Sequence, residues 1–130
     1  MEPTRTPKLA PYLAVHNARA LVNFIKDALG GEVTYLEEAE GGRVGHAEVR
    51  VADSVVMVAD TPEGRPDFPA MLHLYVVDAD LAYDRALKTG ASSVRPPVSQ
   101  SDGDRRGGVK DAWGNEWWFT TLPNPSSKRG

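Results

Sequence analysis

Tyr75-Val76-Val77-Asp78 repeats, 61 positions downstream, the pattern of Ala14-Val15-His16-Asn17, and this recurrence decides how the chain is read. Each tetrapeptide closes an apolar run. Each ends on a residue whose side-chain oxygen can accept a hydrogen bond from a free amide in the first turn of a helix. The same shift lays Asp53-Ser54-Val55-Val56-Met57 on Gly114-Asn115-Glu116-Trp117-Trp118. Both helix starts and both final turns therefore coincide under one offset. Identities are few, so duplication competes with a plain α+β domain of accidental symmetry. Duplication has a physical rationale: neither half covers its own apolar sheet face well, and a pair of halves does.

Working outward, Leu9 to Val15 reads as a strand, and Asn17 as the cap of a helix with Leu21, Val22, Ile25, Ala28 and Leu29 on one face. Gly30 and Gly31 end that helix, because glycine reaches the left-handed conformation without a Cβ penalty. Strands follow at Glu32 to Glu38, Arg43 to Val51 and Val55 to Ala59, with turns at Glu40-Gly41-Gly42 and Ala52-Asp53-Ser54. Prolines and a glycine make residues 60–69 a connector. The order then begins again. Ala70 to Val77 is a strand, and Asp78 caps a helix with Ala79, Ala82, Tyr83, Ala86 and Leu87 on one face, stopped by Gly90. Strands are expected near Ser93 to Val98, Gly108 to Asp111 and Glu116 to Thr121. The polar stretch from Ser99 to Gly107 is expected to be a long, mobile loop. Met1 to Lys8 and Pro123 to Gly130 read as a loose lead-in and a frayed tail. Two modules, about 9–60 and 70–122, thus form one domain of residues 1–130.

The bulk numbers narrow the function classes. At 130 residues, a second independent core is not expected. A net charge of -3, with no long run of either sign, argues against nucleic acid or an anionic membrane as partner. The chain contains no cysteine, which excludes disulfides, thiolate metal sites and cysteine nucleophiles, and fits a cytoplasmic location. No apolar stretch approaches a membrane span, and residues 1–8 lack a signal-peptide apolar region. The glycine-rich run Asp102 to Gly108 lacks the phosphate-loop pattern, and no serine sits in a nucleophile elbow.

Several stretches resemble the vicinal oxygen chelate superfamily, the glyoxalase, bleomycin-resistance and extradiol dioxygenase group. They are Pro11-Tyr12-Leu13-Ala14-Val15, Phe24 to Gly31, Gly45-His46-Ala47-Glu48, Leu72-His73-Leu74-Tyr75-Val76 and, most clearly, Gly107 to Trp118 with its closing Asp111-Ala112-Trp113-Gly114-Asn115 turn. The resemblance runs from Leu9 to Leu122 and is specific for fold rather than function. It implies an α+β fold of two tandem βαβββ modules forming a curved, U-shaped mixed sheet, and a homodimer. Catalytic members hold a divalent metal with His, Glu or Gln side chains from the first and last strand of each module. Carried over residue by residue, those places fall at Ala10, Met57, Met71 and Trp118, and the two modules' positions differ by the same 61. None suits a hard or borderline cation; only the thioethers suit a soft ion such as copper(I). No family metal and no cofactor is therefore expected. A one-residue slip would bring His73 close to its place, but Leu9, Pro11, Val56 and Val58 flank two of the others.

Side chains two apart share a strand face. If the four places face a cleft, Tyr12, His73, Tyr75, Val55, Ala59, Glu116 and Thr120 do too, while His46, Glu48 and Arg50 alternate with apolar Ala47, Val49 and Val51. The expected small-molecule site has an apolar floor of Met57, Met71 and Trp118 and a polar rim of Tyr12, His46, Glu48 and His73. Blander readings stand beside it. His46 and Glu48 can be a solvated strand face, His73 a histidine bonded to a backbone carbonyl, and the Met and Trp side chains core. His46, Glu48 and His73 can also be grouped around an off-pattern metal. Three functions remain open: sequestering a flat or partly aromatic ligand on Trp118; a metal-independent or off-pattern-metal isomerase or lyase in which His46 or His73 moves a proton and Glu48 tunes it; or a purely structural role as a dimeric interaction module.

Overall fold

The alternation and the helical stripes produce one plan twice over. The computed structural model describes residues 9–62 and 64–123, so the lead-in 1–8 and the tail 124–130 lie outside the described residues. The chain divides into two units between Phe68 and Pro69. The first contains β1 (Tyr12–Val15), α1 (Ala18–Leu29), β2 (Glu32–Glu38), β3 (Val44–Val51) and β4 (Ser54–Asp60). The second contains β5 (Met71–Tyr75), α2 (Ala79–Lys88), β6 (Ser92–Ser99), β7 (Arg105–Lys110) and β8 (Glu116–Thr121). The sheet orders are β1-β4-β3-β2 and β5-β8-β7-β6. In each, the first strand runs parallel to the last and the remaining pairs are antiparallel.

The offset read from the sequence is also a register. Tyr12 pairs with Met57, and His73 pairs with Trp118. Across the next ladder the match slips by one, since Met57 faces Glu48 while Trp118 faces Gly108. The cause is the turn: β3 and β4 pair from Val51 and Ser54, whereas β7 and β8 pair from Lys110 and Glu116 around a longer loop.

Each helix packs on one face of its own sheet. In the first unit Leu13, Val15, Leu21, Ile25, Val49 and Val58 are at most 2% exposed. In the second, Val109, Trp117 and Phe119 are buried, as are Tyr83 and Ala86 of α2, the helix that packs on β7 and β8. Fully burying a side chain such as Leu21 or Phe119 stabilises the fold by about 1.5–3 kcal/mol. Among the described residues no helix is long and apolar enough to cross a membrane.

Two expectations need correction. Asn17 does not cap α1 with its side chain; it takes the left-handed conformation at φ 61°. The cap comes from β4 instead, where Asp60 Oδ1 accepts the Ala18 N–H at 3.1 Å and Oδ2 accepts that of Val44 at 2.7 Å. In the second unit Thr121 Oγ1 accepts the Ala79 N–H at 2.7 Å, and Asp78 caps Leu81 at 3.1 Å as expected. Burial opposes the charge on Asp60, but the amides of Val44, Ala18 and Asn17 together with Arg43 outweigh it and hold the carboxyl below its ordinary value. The second correction concerns Ser99 to Gly107. The connection is only residues 100–104, closed by Gln100 N–H to Asp104 O at 2.6 Å and Gly103 N–H to Gln100 O at 2.9 Å. Gly107 and Gly108 lie within β7, where the backbone must pass close to other groups.

The turn from Asp111 to Asn115 is fastened by one buried carboxylate. Asp111 accepts from the amides of Trp113 and Asn115 at 2.9 Å, from Asn115 Nδ2 at 3.0 Å and from the Trp117 indole at 2.9 Å. Asn115 Oδ1 in turn holds the Ala70 N–H at 2.8 Å, which fixes the start of β5. Gly114 supplies the positive φ, 89°, that the turn requires.

Candidate functional site

Pairing fixes which side chains share the sheet face opposite each helix. In the first unit one row across the strands reads Tyr12, Met57, Glu48, Tyr35. His46 lies on the same face two residues from Glu48, and the imidazole sits between the two tyrosines, 5.8 Å from the Tyr12 ring and 5.9 Å from Tyr35. Glu48, only 3% exposed, holds His46 Nε2 at 3.1 Å. In its neutral form His46 can donate the Nε2 proton to this carboxylate and keep the lone pair on Nδ1. Among the described residues no hydrogen bond reaches Nδ1. At the end of β1 a hollow of about 380 Å³ opens beside Tyr12, walled by Ala14, Thr61, Arg65, Asp67 and Phe68.

In the second unit the corresponding row reads His73, Trp118, Gly108, Arg95. A methyl group at Gly108 would lie 2.6 Å from Trp118 Cδ2, so the indole rests directly on the bare backbone of β7. The indole N–H is held by Glu116 at 2.9 Å, and the Arg95 guanidinium stands 5.5 Å from the ring centroid. His73 Nε2 meets Thr120 Oγ1 at 2.5 Å, and its ring lies 5.3 Å from that of Tyr75. Met71 shares this face on edge strand β5 and is 69% exposed. A hollow of about 420 Å³, lined by Tyr75, Val77, Thr120 and Leu122, occupies the place that matches the one beside Tyr12.

The residues expected from the sequence thus fall into two groups, Tyr12, His46, Glu48 and Met57 in one unit and Met71, His73 and Trp118 in the other. Sequence reading missed Tyr35, Arg95 and Gly108. Two adjacent glycines beside an alternating strand were the available signal, but a glycine-rich, aspartate-rich run reads first as a loop.

Ala10, Met57, Met71 and Trp118 are the places that the family resemblance was expected to give to a metal. Met57 and Trp118 lie on the face described, Met71 is at an exposed edge, and Ala10 precedes the first paired residue of β1. A methyl, two thioethers and an indole do not make a donor set for a divalent hard or borderline ion. Among the described residues no three His, Asp or Glu side chains gather as a metal would require.

Comparison with known proteins agrees with this architecture. The Glyoxalase/Bleomycin resistance protein/Dioxygenase superfamily model matches residues 8–119. An uncharacterized protein of Mycobacterium bovis is 31% identical over 122 residues, covering 85% of this chain and 80% of its own. The fold is similar to that of TioX from Micromonospora sp. ML1, with a TM-score of 0.77 at 24% identity over 89% of this chain and 98% of that one. It is also similar to a glyoxalase/bleomycin resistance protein from Catenulispora acidiphila, with a TM-score of 0.65 at 22% identity over 91% and 100%. By plan, register and sequence, this chain belongs to the Glyoxalase/Bleomycin resistance protein/Dioxygenase superfamily.

Proposed function

We propose that this chain binds a flat, apolar or aromatic small molecule and does so without the divalent metal of its catalytic relatives. The observation that carries the reading is the seat of Trp118. A glycine stands beneath the indole where any side chain would lift it, so a flat apolar surface is held against the sheet. The thioether, indole and methyl side chains at the family's metal places support the second half of the reading. Edge-strand side chains Leu36, Val94 and Val98 are exposed, which supports association with a second copy. The test is calorimetric titration of chelator-treated protein with a panel of flat aromatic compounds. Saturable binding that Trp118→Leu weakens at least tenfold is expected; equal affinity in that variant would remove Trp118 from the site.

One observation favours a second reading, proton transfer by His46. A buried glutamate that fixes an imidazole and frees its other nitrogen is the arrangement of a general base. Deuterium uptake from D2O into an aryl ketone beside its carbonyl, lost in His46→Ala, is the outcome this reading requires. Uptake unchanged by that substitution would refute it.

A further inference from the structure

We infer that the molecule seated on Trp118 carries a carboxylate, and that Arg95 selects it. The inference rests on the reading of Trp118 as a binding surface and adds the chemical class of its ligand.

Arg95 reaches Trp118 from β6, across the side-chain-free position at Gly108, to stand 5.5 Å from the ring centroid. Other arginines are already engaged: Arg19 with Glu38 at 3.2 Å, Arg105 with Asp80 at 2.6 Å, Arg106 with Asp104 at 3.3 Å, and Arg50 with Glu32. Among the described residues Arg95 has no carboxylate within ion-pair distance. The remaining charges on this sheet face do not supply one. Glu116 takes the Trp118 indole N–H and stands opposite Lys110, while Arg106 is answered by Asp104 and by Asp102 at 3.8 Å. What is left is a guanidinium with uncommitted donors beside a flat apolar ring. A guanidinium presents its N–H groups as a planar fork that matches a carboxylate bidentately, and the indole accepts the ring that bears it. The protein's net charge of -3 does not attract anions in general, so preference for an acid has to arise locally.

The test compares naphthoate with naphthylmethanol, which share a ring and differ in charge, by calorimetry on the full chain. A charge-assisted bidentate bond predicts that the wild type binds the acid about tenfold or more tightly than the alcohol. Arg95→Gln should bring the ratio near unity, Arg95→Lys should keep part of it, and Lys110→Gln should keep it whole. Equal affinities in the wild type, or a ratio untouched by Arg95→Gln, would overturn the inference while leaving the binding reading intact. Loss of the ratio in Lys110→Gln to the same extent would overturn it too, since a diffuse field would then do the selecting. Binding of neither compound would remove the binding reading and this inference with it.

Discussion

Gly108→Ala is a one-methyl change whose effect can be worked out beforehand. Gly108 does not have positive φ, so the glycine answers a need for space rather than for a left-handed turn. The added Cβ would stand 2.6, 2.7 and 2.8 Å from Cδ2, Cε2 and Cε3 of Trp118. Carbon atoms in ordinary contact sit about 3.5–4.0 Å apart, so the indole has to lift by about 1 Å or swing off the strand. Forcing such a shift costs about 1–3 kcal/mol, and the stiffer unfolded chain returns about 0.4–1 kcal/mol. Because Trp118 is half-buried, it can yield by swinging. The net expectation is about 1–2 kcal/mol, which for a domain of this size lowers Tm by roughly 4–8 °C. The Glu116 bond to the indole N–H and the Arg95 contact go with the displaced ring. Near-UV circular dichroism should therefore change with far-UV signal kept, and aromatic ligands should bind at least tenfold more weakly. Unchanged Tm, near-UV spectrum and affinity together would show that Trp118 is not held as described and would refute the reasoning.

Further expectations concern the groups that fasten each half. Asp111→Ala removes the acceptor of four hydrogen bonds in a buried turn, so urea unfolding should show a loss of about 3–5 kcal/mol; a loss below about 1 kcal/mol would mean that the turn is not held by this carboxylate. Asp60→Asn tests the cap of α1. The folded-state carboxyl lies below its ordinary 3.8, so its contribution is complete above that pH and is lost as pH falls through the folded value. The variant should be less stable than wild type by about 1–3 kcal/mol at pH 7 and should show a flatter acid limb; identical acid limbs would contradict this assignment.

The helices, the order of elements along the chain and the 61-residue offset were legible because they follow from periodicity and repetition, and the structure preserves that offset in the pairs Tyr12 with Met57 and His73 with Trp118. Local chemistry was legible where cap and helix are neighbours in sequence, as at Asp78. It was illegible at Asn17, because the true cap, Asp60, arrives from a strand 42 residues away. Gly107 was misread as loop, and the tight packing at Gly108 was not foreseen, for a related reason. Their role is defined by Pro97 and Trp118, which press on them from neighbouring strands, and nothing in the local run announces that. In the candidate site, strand alternation placed Glu48 and His46 together on one face. It did not reveal that Glu48 is buried or that Tyr35 completes the slot, since a bulge between Val33 and Tyr35 shifts that strand's pairing.

The most direct measurement is calorimetric titration of chelator-treated protein with naphthylmethanol, repeated after addition of zinc and then manganese. Saturable binding to the metal-free chain, with an affinity that neither ion alters, is the predicted result. Binding that emerges only once an ion is supplied, at a stoichiometry of one ion per chain, would contradict the account.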